Sequence, residues 1–320
     1  MTERRETGRP RRKPAGPRKQ SPKSKPNYKP NTLSAEKDWS EGERIAKYLA
    51  RAGVASRREI ERMIEEGKVS VDGQRLTSPA FKVTGKELIR VGRKTIQAPD
   101  ATRLWRYHKP SGLITTTTDP EGRRTVFDEL PKSLPRVVTV GRLDLTTEGL
   151  LLLTNDGTLA RALELPKNEL ERTYRVRAHG TVTPEKIQEL AKGITVDGVD
   201  YKPIKAVLDR ETGANNWLTV TLSEGKKREV RRALESLDLQ VNRLIRVQYG
   251  PFVLEDLRPG SVEEVPTDLL EAAIGHLLDQ PLTKKSPQNA PSDGKGAVKS
   301  RLGRRKPSAR LDPRKRKPKK

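Results

Sequence analysis

One loop in this 320-residue sequence places a carboxylate where chemistry can use it. Gly141-Arg142-Leu143-Asp144 lies between a predicted strand, Val137–Val140, and the apolar run Leu150–Leu153. An aspartate at the lip of a sheet, on a loop opened by glycine, occupies an active-site position. Taken alone, such an aspartate is more often a turn former or a helix cap. Farther on, Arg228, Arg231 and Arg232 gather charge on one predicted helix, and Tyr174 falls on the apolar side of an alternating strand. Alone, these arginines read as a solvated helix face, Tyr174 as a half-buried core tyrosine and Leu244 as core. The chain has no cysteine, which excludes disulfides, thiolate zinc sites and cysteine nucleophiles. Its three histidines, His108, His179 and His276, are scattered without metal-ligand spacing.

The formal net charge is +24 and the pI about 10.2. A charge that high points to a polyanionic partner, RNA or DNA by default. Most of it sits at the ends. Residues 1–39 carry 12 Lys/Arg against 4 Asp/Glu and residues 281–320 carry 15 against 2, so the middle nets only +3. The flanks, 1–41 and 271–320, are rich in Pro, Lys, Arg and Ser and poor in apolar residues, and read as disordered basic tails. Such arms raise affinity for phosphates without choosing sequence. No apolar signal region opens the chain, and no apolar run approaches the ~20 residues of a membrane span. A cytoplasmic protein without membrane contact is expected.

The elements that must position these residues fall into two modules. In the first, over 42–100, Ile45, Tyr48 and Leu49 recur at helical spacing and Gly53 breaks the helix. Ser56 precedes Glu59 by three residues, a capping-box pattern, and Ile60, Met63 and Ile64 form the stripe of a second helix. Gly67 is placed to end it, Val69 and Val71 alternate in a strand, and Asp72-Gly73 signals a hairpin turn. Arg51, Arg57, Arg58, Arg62 and Lys68 lie off the apolar stripe; they suit a phosphate-binding face or a solvated one equally.

In the second module, over 101–270, Trp105 and Tyr107 lead a strand that stops at His108-Lys109-Pro110. Tyr174, Val176 and Ala178 alternate with Arg175 and Arg177, Leu218, Val220 and Leu222 alternate with threonines, and Leu244–Val247 reads as a further strand. Helices are predicted near Leu159–Leu163, Pro184–Ala191 and Val230–Leu237. Strands and helices without a strict β-α-β rhythm predict an α+β fold with a mixed, largely antiparallel sheet.

Two resemblances are carried by longer strings. Arg44–Leu76, containing A-x-A-G-V-A-S-R-R-x-I-E-x-x-I-x-x-G-x-V-x-V-D-G, resembles the S4 RNA-binding domain. Val140-Gly-Arg-Leu-Asp144-Leu-Thr-Thr-Glu-Gly149-Leu-Leu-Leu-Leu-Thr-Asn155-Asp-Gly157 resembles the active-site motif of pseudouridine synthases of the RsuA/RluB family, which also carry an N-terminal S4 domain. Tyr107-His-Lys-Pro-Ser-Gly112, Asp119-Pro-Glu-Gly122, Thr125-Val-Phe-Asp128, Glu171-Arg-Thr-Tyr174, Glu224–Arg232 and Leu244–Gly250 follow in the family's order. The resemblance covers about Arg44 to Pro266.

The resemblance implies a reaction. The N1–C1′ bond of a uridine breaks, the uracil turns, and C5 bonds to C1′, with no cofactor because nothing is oxidised and no group is lost. Asp144 is implied as the catalytic carboxylate, by covalent attack or by removing a sugar proton. Arg231 is implied as the cation that keeps it ionised, Tyr174 as the residue stacked on the flipped base, and Leu244 as the apolar wall beside it. Flipping the base costs a few kcal/mol, which Arg142 and Arg228 offset through phosphate contacts. Arg57 and Arg58 become the binding residues of the S4-like module. Asn215-Asn-Trp217 and the Glu224–Arg232 string are similar to the RluB type, which acts on 23S ribosomal RNA near the peptidyl-transferase centre; a monomer bound to ribosomal RNA is expected. The alternatives are a 16S synthase, a non-catalytic S4-type assembly factor, and a hydrolase releasing free base. The hydrolase needs a second carboxylate, and Glu148, expected in a loop, is the only near candidate.

Overall fold

Turn chemistry and helical spacing settle the first unit. The structure, a computed structural model, describes residues 42–278 and Leu282. After β1 (Glu43–Arg44), α1 (Ile45–Arg51) buries Ile45, Tyr48 and Leu49. In α2 (Arg57–Glu65), Ser56 caps the start, its hydroxyl accepting from the Glu59 N–H at 3.2 Å. The reciprocal half of the expected capping box does not form, because the Glu59 carboxylate turns to Arg62 at 2.6 Å. Gly67, at φ 64°, releases the chain into β2 (Val69–Val71). Asp72 and Gly73 are both left-handed, at φ 50° and 80°, as the tight hairpin into β3 (Gln74–Arg75) demands. Then β4 (Lys82–Val83) pairs with β1, while β5 (Ile89–Val91) and β6 (Lys94–Thr95) complete a sheet of order β3-β2-β5-β6.

The second unit comprises β7 (Leu104–Lys109), α3 (Val126–Glu129), β8 (Val138–Val140), β9 (Thr147–Thr154), α4 (Gly157–Glu164), β10 (Arg172–His179), α5 (Pro184–Lys192), β11 (Ile194–Val196), β12 (Val199–Tyr201), β13 (Lys205–Thr212), β14 (Asn215–Leu222), α6 (Glu229–Glu235), β15 (Gln240–Tyr249), β16 (Phe252–Val253), β17 (Val262–Val265) and α7 (Thr267–Ile274). Its sheet runs β13-β14-β10-β15-β9-β7-β17, with β8 beside β9 and β16 beside β15. Only the β9–β15 pair in it is parallel, so the mixed, largely antiparallel α+β architecture expected from the sequence is what forms.

The four-leucine run explains where the site sits. Leu150–Leu153 are all at 0% exposure. Leu150 and Leu152 pack with α4 and α7, and Leu151 and Leu153 pack with Trp105, Tyr107 and Leu143. A strand covered on both faces reads as a continuous apolar run, and each buried leucine contributes about 2 kcal/mol. On the other half of the sheet, α5 and α6 cover Val176, Ala178, Leu218 and Val220. The Asp144 loop thus leaves a rigid central strand.

The tail expected over 1–41 lies outside the described residues, as does nearly all of that over 271–320. The boundary at 270 is displaced: α7 runs through it, burying Leu270 and Ile274 fully, and Leu277, Leu278 and Leu282 join the same core. Leucines at 270, 277, 278 and 282 give this stretch the apolar surface a disordered tail lacks.

Candidate active site

Asp144 is held by its backbone, and its carboxylate has no hydrogen-bonding or ion-pair partner among the described residues. Gly141 turns the chain out of β8 at φ 66°, a conformation that favours glycine. The Thr115 hydroxyl donates to the Leu143 carbonyl at 2.8 Å, pinning a nearly buried leucine. The Thr147 N–H donates to the Asp144 carbonyl at 3.0 Å, and the Gly112 N–H to that of Leu145 at 2.8 Å. Beneath them lies Lys109, at 0% exposure. Its ammonium donates to the carbonyls of Pro110 (3.1 Å), Asp144 (3.2 Å), Leu145 (3.3 Å) and Thr147 (2.9 Å). Burial pulls its pKa down to about 8, against the pull of Asp144 and Glu148.

The exposed side chain of Asp144 opens on a cleft of about 810 Å³, which Arg142, Tyr174, Arg228 and Leu244 also line. Tyr174 is half-buried on β10, with Val220 opposite it on β14 and Arg246 on β15. Leu244, 5% exposed, lies opposite Thr147 in the parallel β9–β15 register, which brings it alongside the Asp144 loop. Arg142 and Arg228 are exposed, and neither side chain has a hydrogen-bonding or ion-pair partner among the described residues. Arg228 is itself left-handed, at φ 55°, where the chain enters α6.

Arg231 departs from expectation. It is 6% exposed rather than on a solvated face, and it forms no ion pair with Asp144. Its guanidinium instead bridges the Val241 carbonyl at 2.9 Å and the Thr146 hydroxyl at 3.1 Å. Burial and the nearby Arg228 lower its pKa from the ordinary arginine value, and Asp144 opposes them from a distance. Glu148 also departs: it lies in β9, not in a loop, and makes a bidentate pair with Arg243 at 2.8 and 3.0 Å. That pairing holds its carboxyl below the usual range. It alternates with Thr147, which lines the cleft, so it faces away from Asp144.

Lys109, Arg172 and Arg246 escaped the reading of single residues. Arg172 donates to the Leu170 and Ser223 carbonyls and to the Tyr249 hydroxyl, and it stacks on Tyr249, as does Arg246, at 4.7 and 5.0 Å. Lys109 did leave a signal, for it shares strand parity with Trp105 and Tyr107, where a charge is out of place. Arg57 and Arg58 belong to the first unit and do not line the cleft. Both are exposed on the first turn of α2, and neither is in an ion pair among the described residues; Arg51, Arg62 and Lys68 are each tied to a glutamate. No group of three His, Cys, Asp or Glu side chains among the described residues is placed to hold a metal ion.

The model of the RNA pseudouridylate synthase family matches residues 103–236, and that of the S4 domain residues 43–89. A Rickettsia felis protein named as an uncharacterized RNA pseudouridine synthase is 47% identical over 229 residues, covering 72% of this chain and 99% of its own. The chain belongs to the RNA pseudouridine synthase family. As such it is an RNA-binding isomerase with an S4 domain. Ribosomal large subunit pseudouridine synthase B of Haemophilus influenzae is 43% identical, with 76% of this chain and 70% of that protein covered. A crystal structure of a pseudouridylate synthase superposes with a TM-score of 0.52 at 25% identity, over 71% of this chain and 98% of that one.

Proposed function

We propose that this synthase isomerises a uridine in large-subunit 23S ribosomal RNA, near the peptidyl-transferase centre, with Asp144 as its catalytic carboxylate. The observation that carries the residue assignment is the free Asp144 carboxylate at the mouth of a cleft shared with Tyr174 and Leu244. The substrate assignment is supported by relatives named as large-subunit synthases in H. influenzae and Salmonella typhi, at 43% and 47% identity.

In this reading the flipped uridine stacks on Tyr174 against Leu244, and Arg142 and Arg228 take its flanking phosphates. Asp144 acts on the sugar, by attack or by proton removal, as the N1–C1′ bond breaks with its electron pair left on the uracil. The uracil turns and C5 bonds to C1′ as the Asp144–sugar bond breaks or the sugar regains its proton; the C5 proton passes to solvent and N1 takes one up. Nothing is gained or lost overall. Arg57 and Arg58 hold structured RNA outside the cleft. The protein acts as a cytoplasmic monomer; no helix among the described residues is long and apolar enough to cross a membrane. A base-releasing hydrolase is disfavoured because Glu148 is occupied by Arg243 and faces away from the cleft.

Mapping ribosomal RNA pseudouridines in cells with and without the gene tests the substrate. One large-subunit site should vanish, return with the wild-type chain, and fail to return with Asp144→Asn, although that variant folds and binds RNA. Restoration by Asp144→Asn would falsify the assignment of Asp144; a lost site in 16S RNA would overturn the subunit; free uracil would indicate hydrolysis.

A further inference from the structure

The face of the sheet turned away from the cleft carries an unexplained row of charge. On β10 the alternation that sends Val176 and Ala178 into the core sends Arg175, Arg177 and His179 outward, where all three are exposed. The β14 neighbours on this side are Trp217, Thr219 and Thr221; on β13 they are Lys205 and Val207, the latter 48% exposed. Register puts Arg210 opposite Trp217, Trp217 opposite Arg177, and Arg177 opposite Arg243. One row across four adjacent strands, roughly 14 Å wide at strand spacing, therefore reads Arg-Trp-Arg-Arg.

Like charges directly opposite across two strands sit about 5 Å apart and destabilise the pair. Arg177 and Arg243 are in that relation. Arg243 is relieved by Glu148, and Arg175 lies 5.1 Å over the Trp217 ring with Asp209 4.0 Å away. The guanidiniums of Arg177 and Arg210 have no ion-pair or hydrogen-bonding partner among the described residues. The fold thus holds two unneutralised guanidiniums beside two others, around a half-buried tryptophan, on a part of the sheet face over β13, β14 and β10 that no helix among the described residues covers. The arrangement complements a phosphate backbone, for which guanidinium is the suited donor, and Trp217 offers a ring for an unpaired base.

We infer that this open face of β13-β14-β10-β15 is a second RNA-binding surface, which takes the phosphate backbone of a segment distant from the target uridine in a large folded RNA. Tyr174 enters the cleft from one face of β10 while Arg175 and Arg177 leave by the other. A short stem-loop seated in the cleft cannot reach round the sheet, so the segment belongs to a neighbouring part of a large RNA. The inference rests on the RNA-modifying activity of the family and is independent of which RNA is the substrate.

The test compares two RNAs cut from whichever transcript holds the mapped uridine, a short stem-loop and a fragment several hundred nucleotides long. Arg177→Glu with Arg210→Glu should weaken binding of the long fragment about tenfold and flatten its log–log salt dependence by roughly 2, for two lost phosphate contacts. Single-turnover pseudouridine formation in the stem-loop should be unchanged, which also certifies the fold. The pair Arg177→Lys with Arg210→Lys should restore most of the affinity. Trp217→Leu should weaken the long fragment without changing the salt slope, because stacking releases no counterions. Equal loss on both RNAs, or no loss on either, overturns the inference. So does a wild-type dimer in sedimentation that the glutamate variant abolishes, since the face would then serve self-association.

Discussion

Raising the pH through 8 tests the ammonium that underlies the Asp144 loop. Lys109 is fully buried, and its pKa lies at about 8 rather than 10.5 because burial penalises its charge. At pH 7 roughly nine-tenths of molecules keep it protonated, and at pH 9 roughly one-tenth. If the charged form alone holds the three loop carbonyls of Asp144, Leu145 and Thr147 in place, the saturated single-turnover rate falls about tenfold between those values. Stability moves the other way. The unfolded lysine titrates near 10.5, so between about 8 and 10.5 the unfolded chain binds more protons than the folded one, and this group's contribution to stability rises with pH. The rise is up to ~3 kcal/mol at about 1.4 kcal/mol per pH unit. Below pH 8 both states are charged and the contribution is flat. The assay is pseudouridine formation at saturating enzyme from pH 6.5 to 9.5, with thermal melts at each point. A rate that drops while Lys109 adds no destabilisation separates lost charge from unfolding. Lys109→Arg stays charged throughout and should lack the limb near 8. A limb of the same midpoint in a folded, active Lys109→Arg would belong to the substrate uridine and refute the reasoning, as would a flat wild-type profile.

Two further outcomes can be checked on purified protein. Arg57→Ala with Arg58→Ala should raise the enzyme concentration needed for half-maximal turnover several-fold and leave the saturated rate within about twofold, because contacts outside the cleft bind ground and transition states alike; a matching fall in the saturated rate would contradict the division of labour between the two units. Gly149→Ala should cost about 3 kcal/mol or more, read as a lowered melting temperature. Its φ is 99°, and a Cβ there would meet the Arg246 carbonyl oxygen at 2.2 Å and backbone nitrogen at 2.8 Å in the neighbouring strand, so an unchanged melt would contradict the close approach of β9 and β15.

Local rules made much of the fold legible. Ser56, Gly67 and Asp72-Gly73 each specify a backbone conformation without help from distant residues, and each behaves as its chemistry dictates. The alternation of Val176 and Ala178 with Arg175 and Arg177 gave β10 and its buried side. Partnerships that depend on strand order were not legible. Glu148 and Arg243 are far apart in sequence, and only the parallel β9–β15 pairing joins them. Arg231 looks like any helix-surface arginine until β15 and the Asp144 loop close over it. The Asp144, Tyr174 and Leu244 constellation was readable through family strings, since single positions in strands and loops carry no record of which cleft they share.

The cations nearest Asp144 hold the loop that carries it rather than its carboxylate. Lys109 donates to the Asp144 carbonyl and to those of Leu145 and Thr147 after it, and Arg231 bridges the hydroxyl of Thr146, two residues on, to the Val241 carbonyl of β15. A contact pair would occupy the carboxylate oxygens that must reach the sugar. Free of such a pair, the carboxylate is available to the sugar. This assigns Arg231 a positioning role with a distinctive signature. Were charge its contribution, Arg231→Lys would recover most of what Arg231→Ala loses. If the two-pronged bridge matters, lysine has one donor centre and cannot span both acceptors. Losing hydrogen bonds to a charged donor costs roughly 1.5–3 kcal/mol each, so Arg231→Ala, which loses both, should fall about 100-fold or more in saturated single-turnover rate, and Arg231→Lys, which can keep only one, should stay about tenfold or more below wild type. The half-saturating enzyme concentration should stay near wild type. A lysine variant near wild-type rate would return Arg231 to the role of counter-ion.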